Sequence, residues 1–529
     1  MNKTSIVTAM AVAATAWIAF APPVSGEDET DQRFGTVHFA TSCNETAQRR
    51  FDRAMRYQHS FWYQSSKEIF EDVLKADPAC GIAYWGIALS LLYNPHAPPP
   101  VPNLPLGLAA LQKAKAVGAG TQRERDYIDA LTVFYTDYDK VPHGARVQAY
   151  LKAMEALAAR YPDDDEAQIF YALYLAGTQT ASDQTYSAYL KAAAILEKQF
   201  AKHPNHPGAA HYLIHSYDAP PIAVQGLPAA RRYAAIAPDA PHALHMPSHI
   251  FTRVGAWTDS ATTNRRAEET ARRSSVPDDV LHAIDYQVYA ALQLGRDAEA
   301  KRAIERGAPE AARYERNSGA YGLAASTARY AMERGDWKTA AQLKPQASKW
   351  PYADAMTHFA RAVGAARSGD AGAAQDDAAQ LAKLRDVLAA GKDAYWTEQV
   401  EIQRLAAQAW IELAQGRREP ALALMRQSAD RQDAAEKATV TPGHLAPSRE
   451  LLGEMLLELN QPAQALKEFE ASAVDNPNRF RGTYGAALAA ARAGNTGLAR
   501  ERYRKLVELA GKGDARAELQ QATTWLSRN

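Results

Sequence analysis

Two kinds of punctuation recur along this chain at intervals of about 34 or about 40 residues, and together they confine it to a stack of helical repeats. In the first kind, a small residue is followed four positions later by an aromatic or large aliphatic one, and twelve positions later by proline. Ser66, Phe70 and Pro78 fit it, as do Ala192, Leu196 and Pro204, then Ala229, Tyr233 and Pro241, and Ala465, Phe469 and Pro477; Ala499 and Tyr503 repeat the last pair one short interval on. In the second kind, glycine stands five positions before the small residue. Gly255/Ser260, Gly295/Ala300 and Gly335/Ala340 follow one another at the longer interval, Gly369/Ala374 comes next at the shorter one, and Gly494/Ala499 belongs to the same series. The small residue lets two helices of a repeat approach, and proline ends the second helix because it has no N–H to continue it. Between the markers apolar residues recur at helical spacing, as in Leu451, Leu452, Met455, Leu456 and Leu459, and no run alternates as a strand does. The expectation is an all-α, tetratricopeptide-type helix-turn-helix solenoid, continuous over 46–529, with the first helices of its repeats lining a concave face. Two interruptions are expected: a Pro-rich loop over 94–105 and a break at 434–447 around Pro442-Gly443 and Pro447. The proline and glycine registers disagree by a few positions between 241 and 255.

Charge is balanced, with 60 Lys+Arg against 60 Asp+Glu, so nothing recommends nucleic acid or an anionic membrane as a partner. Residues 1–26 read as a secretory signal peptide: Lys3, an apolar run from Ile6 to Ala21, and small residues at Val24-Ser25-Gly26. Residues 27–45 form an N-terminal segment, and no later stretch is apolar for long enough to span a bilayer. A periplasmic or secreted protein, cleaved near Gly26, is expected. In that compartment Cys43 and Cys80, the two cysteines, are most simply a disulfide. Closing that loop is worth roughly 4 kcal/mol on the chain-entropy model. A pair of soft metal ligands is the alternative; the absence of CxxCH removes c-type haem.

The residues that carry chemistry are histidines. There are fourteen, and six fall between 211 and 282. His211 and His215 recur one short interval later as His245 and His249, and one long interval further the same positions hold Asp285 and Tyr289. A third column starts three positions earlier, with His242 and, one long interval on, His282. In a repeat array, equal spacing puts these side chains on equivalent faces of neighbouring helices, here in a His-rich groove section over 205–290. An i, i+4 imidazole pair can share one ion without moving the backbone, and helices packed about 8–10 Å apart let imidazoles from neighbours converge. His211, His215, His242, His245, His249, His282 and Asp285 are therefore the candidate metal ligands. Nitrogen and carboxylate donors without thiolate favour a divalent transition metal, Zn, Cu, Fe or Ni. Asp218, like Asp285, is a candidate ligand or a group orienting an imidazole through its second nitrogen. Tyr217 and Tyr289 read as groove wall, and His59 as packed at the end of a first helix. His38 and His96 are lid candidates, and His143, His203, His206, His358 and His444 read as surface or turn residues.

No phosphate-binding loop, dinucleotide fingerprint or nucleophile elbow occurs, and the helical His pairs lack the Glu of HExxH. The histidine wall therefore names no reaction. It suits a metal-handling scaffold or a metalloenzyme, a hydrolase with metal-activated water among them. Without metal it suits a peptide- or protein-binding adaptor that reads a carboxylate or phosphate in the same groove.

Four stretches carry a resemblance: His38-Phe39-Ala40-Thr41-Ser42-Cys43; Asp77 to Gly86, with Ala83-Tyr84-Trp85-Gly86; Pro207 to His215; and His245-Met246-Pro247-Ser248-His249-Ile250-Phe251. They are similar to those of a family of exported bacterial tetratricopeptide-repeat proteins, over roughly residues 36–300. The resemblance implies a superhelical repeat fold and export, and brings no activity with it. Residues 300–529 resemble only generic repeats.

Overall fold

The computed structural model describes residues 33–529, apart from 96, 436 and 439; the expected signal peptide lies outside the described residues, as does His96. Among the described residues the regular elements are all helices, from Glu45–His59 to Ala517–Arg528. Consecutive helices pack against each other as antiparallel pairs, for example Glu45–His59 on Tyr63–Ala76 and Trp257–Arg273 on Pro277–Gln293. First helices of successive repeats also touch: Pro207–Ser216 meets Pro247–Arg253, and Pro241–His245 meets Pro277–Gln293. This is a helix-turn-helix solenoid, as the spacing predicts. No described helix is long and apolar enough to cross a membrane.

The sequence markers do the work expected of them. Ser66, Ala192, Ala229, Ser260, Ala300, Ala340, Ala374, Ala465 and Ala499 are all buried, as are Phe70, Leu196, Tyr233, Phe469 and Tyr503 behind them. Gly255, Gly295, Gly335, Gly369 and Gly494 all have φ between +63° and +90°, the left-handed turn that glycine reaches without strain. The disagreement between the two registers near 241 has a local cause. The helices ending at Ala76, Lys202 and Asp475 stop two positions before their marker proline, but Leu227–Ile236 stops early. Pro238 pushes Ala237 out of the helical region, so Pro241 instead opens the next helix as its first residue.

The structure differs from expectation in two places. The Pro-rich loop ends at Pro102, and Asn103-Leu104-Pro105 are already helical. Pro105 falls in the first turn, where the missing N–H has no intrahelical partner to lose. The second difference lies in how the array ends: it packs across its own middle. Trp257 Nε1 donates to the Asn478 carbonyl (2.7 Å), the Phe480 N–H to Gln293 Oε1 (2.9 Å), and the Asp514 N–H to the Gly295 carbonyl (2.8 Å). Arg516 pairs with Asp297. Arg479, fully buried, binds Glu333, Glu450 and the Tyr289 hydroxyl. The described residues of the interruption expected at 434–447 are non-helical and lie between Arg418–Asp433 and Ser448–Glu458. It turns inward: Lys437 Nζ lies 3.4 Å from Asp218, and Arg329 donates to the carbonyls of His444 and Gly443.

Cys43 and Cys80 are bonded, with Cα atoms 5.1 Å apart. The bridge ties the N-terminal segment to the start of the helix Gly81–Leu91, where Cys80 is buried.

Candidate metal centre

Six imidazoles converge in two triads, His211/His215/His242 and His245/His249/His282, and within each triad one donor atom per residue lies within 4.8 Å of the others. Each triad takes an i, i+4 pair from one first helix and a third ring from the start of the next. The second pair survives a break in its helix: Pro247 starts a new segment after His245, but Met246 stays helical and keeps His245 and His249 one turn apart. Four of the rings are buried, and His242 and His282 are half-buried at the edge.

The contacts within each triad are between Nε2 atoms: 3.2 Å for His211–His215, 3.1 Å for His211–His242 and 3.0 Å for His245–His249. What lies behind the rings decides which protons sit there. His245 Nδ1 is 2.7 Å from Asn264 Oδ1, and the Asn264 amide nitrogen donates to the Ser260 carbonyl, so the oxygen faces the ring and His245 must donate from Nδ1. His249 Nδ1 is 2.8 Å from Asp218 Oδ2. Burial alone would raise the Asp218 carboxyl, but Lys437, Arg253 and His249 hold it well below the usual carboxylate range, so it only accepts. Both neutral rings thus carry their proton on Nδ1, and their unprotonated Nε2 atoms face each other across 3.0 Å. Two lone pairs at that distance repel unless a cation or a proton stands between them.

A proton is disfavoured. Burial first, and then neighbouring imidazoles, hold His242, His245 and His282 well below the ordinary histidine range. Burial, with Lys437 and Arg253, lowers His249 as well, against the opposing pull of Asp218. A metal ion fits: at metal–nitrogen bonds of about 2.0–2.1 Å, tetrahedral ligands sit roughly 3.3 Å apart. The oxygen atoms behind the rings are the partners that orient metal-bound histidines. In the first triad His211 does the same, donating from Nδ1 to the His59 carbonyl (2.7 Å) and turning its Nε2 lone pair to His215 and His242.

Aromatic rings close the site. Phe61, at φ +56°, stacks on His242 at 5.2 Å and His215 at 5.7 Å, with its edge against His211 at 4.3 Å. Tyr286 meets His245 edge-on at 4.6 Å, and its hydroxyl lies 3.3 Å from His249 Nε2. Burial pushes the Tyr286 phenol well above its usual range, so it stands as an O–H donor.

Asp285 does not join the imidazoles. It lies 3.5 Å from Arg329 in a fully buried pair, where burial, opposed by Arg329, pushes its carboxyl up to about 6. The physical reason is its place in the array. The pair following His282 is Asp285 and Tyr289, and both serve the packing of the C-terminal repeats: Arg329 lies over the Tyr289 ring at 4.4 Å. Of the two roles open to Asp218, the structure gives it the orienting one.

A third group, His59/Glu166/His206, also clusters within 4.8 Å and is wholly buried. His206 is thus not a surface residue. Its Nδ1 caps the helix Pro207–Ser216 by accepting the Ala209 N–H, so Nε2–H donates to Glu166 Oε1 at 2.9 Å. His59 faces Tyr212 OH through Nδ1 and Glu166 Oε2 through Nε2, both at 2.9 Å. Burial would raise the Glu166 carboxyl, but His59 and His206 hold it well below the usual range. Every proton here has a partner. His38 is exposed beside Asp52, and His358 is paired with Asp377.

No protein-family model matches the chain, and no curated protein does. Solved structures similar to it include a monomeric mutant of IFIT1 with Gppp-AAAA, at 13% identity, covering 81% of this chain and 90% of that one, TM-score 0.40. Yeast Tom70 is similar at 12% identity, covering 88% and 99%, TM-score 0.37, and the Cut9–Hcn1 hetero-tetramer at 12%, covering 91% and 89%, TM-score 0.32. These likenesses place no ligand on this chain.

Proposed function

We propose that this protein is an exported helical-repeat scaffold that binds two divalent transition-metal ions, one in each imidazole triad, for metal handling or as a metalloenzyme. The observation that carries the reading is the 3.0 Å contact between two unprotonated ring nitrogens, His245 and His249 Nε2, each tautomer set by an oxygen behind its ring. All-imidazole triads favour Zn, Cu, Fe or Ni. The leader-like N-terminus and the Cys43–Cys80 bond support an oxidising compartment. An adaptor that uses the wall without metal is the other reading. The chain's own 434–447 segment comes up behind the wall, with Lys437 Nζ 3.4 Å from Asp218.

The test is elemental analysis of protein purified from its native compartment without an affinity tag. Two ions per chain are expected, falling to one in His245→Ala and to none in the His211→Ala/His245→Ala double variant. An unaltered metal content in the double variant, or none in the wild type even after Zn, Cu, Fe or Ni is supplied, leaves the adaptor reading in its place.

A further inference from the structure

The two triads are alike in their nitrogens and unlike in what completes them. Over the first lies Phe61, a carbon ring with no donor atom. Beside the second lies Tyr286, one helical turn after His282 and therefore on the same face of the helix Pro277–Gln293. Its ring is within 4.6 to 5.4 Å of all three imidazoles, and its side chain is buried. Its hydroxyl oxygen stands 3.3 Å from His249 Nε2. That is about the edge of a tetrahedron whose corners lie about 2.0–2.1 Å from an ion. His245 Nε2 lies 3.0 Å from the same atom, so two donor atoms flank His249 Nε2 at ligand-to-ligand distances.

We infer that Tyr286 supplies the fourth donor, an oxygen, to the ion held by His245, His249 and His282, making the second centre three nitrogens and one phenolate, while the first stays nitrogen-only. This rests on the metal-binding reading. Binding exchanges a proton for the ion: the Tyr286 O–H bond breaks, an oxygen–metal bond forms, and one proton leaves to solvent, with no change of oxidation state. An anionic oxygen is a harder donor than imidazole, so the second centre takes Cu²⁺ or an iron ion in preference to Cu⁺. The two centres then differ in the ions they retain.

The experiment loads the full-length protein with Cu²⁺ and records bound copper together with the visible spectrum and resonance Raman scattering. The wild type is expected to show a phenolate-to-copper charge-transfer band with phenolate ring modes. Tyr286→Phe is expected to lose both, with copper still bound at both triads. Tyr233→Phe, altered in the ring that stacks on His211 at 5.1 Å, is expected to keep them. Copper bound with no phenolate band in the wild type, or a band that survives in Tyr286→Phe, overturns the Tyr286 assignment and leaves the two-triad reading standing. No copper bound by the wild type overturns both.

Discussion

Two buried histidine clusters sit one helix apart in this molecule, and they are chemically opposite. In the His59/Glu166/His206 group each ring nitrogen has a partner of the right kind: Nε2–H against a carboxylate, Nδ1 against an N–H or O–H donor. In the His245/His249 pair the protons are drawn to the far side of both rings by Asn264 and Asp218, and two unprotonated nitrogens face each other at 3.0 Å, with one hydroxyl, that of Tyr286, 3.3 Å from His249. Proximity of histidines is the same in both. On the proposed reading, what separates a packing node from a metal site is where the acceptors behind the rings put the protons.

The largest effect expected from this contrast is collective and depends on pH. With folded pKa values held below the unfolded value of about 6.5, the rings of His242, His245, His249 and His282 leave the unfolded chain as the main proton acceptor. Stability of the chelated protein is therefore fully present above about pH 6.5 and falls as pH drops below it. Each ring contributes at most about 1.4 kcal/mol per pH unit, and the four together at most about 5.5. His59, also lowered, adds one ring of the same sign from the node. Chemical denaturation at pH 7.5, 6.5 and 5.5 measures this. A flat profile would mean that the wall is protonated in the folded state.

Next in size is Glu166→Ala. It leaves two buried N–H donors without their charged acceptor, at roughly 1.5–3 kcal/mol each. A loss of about 3–6 kcal/mol in stability is expected, with the metal content still at two ions per chain. Metal lost along with stability would make the node part of the centre.

Asp218→Asn tests the opposite arm and should be the smaller effect. Removing an orienting carboxylate weakens a bound metal about 10–100-fold. Competition with a chelator is expected to show that loss at the second triad alone, the first triad serving as the internal standard. Equal weakening at both would place Asp218 in the packing of the whole wall, through Arg253 and Lys437.

How much of this could be read in the residues alone differs between fold and site. The small residues and glycines mark each close helix approach and each left-handed turn, and both are local consequences of side-chain size, so the repeat architecture was legible. The histidine columns were legible for the same reason, since a repeat copies position as well as shape. Asp285 breaks the column because its partner, Arg329, belongs to the closure of the array and not to its period. That closure, with Asn478 on Trp257 and Asp514 on Gly295, joins residues far apart in the chain and leaves no periodic trace. His206 looked like a turn residue because it does stand at a helix start; only its partner Glu166 shows that the turn is buried. Tyr286 had a signal, its one-turn spacing from His282. Phe61 had none, as its contact depends on a left-handed turn at a residue that is not glycine.

The claim that tautomers separate a metal site from a packing node is tested most directly by anomalous scattering from crystals of the full-length protein loaded with Zn²⁺. Two peaks are expected, one among the Nε2 atoms of His211, His215 and His242 and one beside His245, His249, His282 and the Tyr286 hydroxyl, with no density at His59/Glu166/His206. A peak at the node, or featureless triads at full zinc occupancy elsewhere, would contradict it.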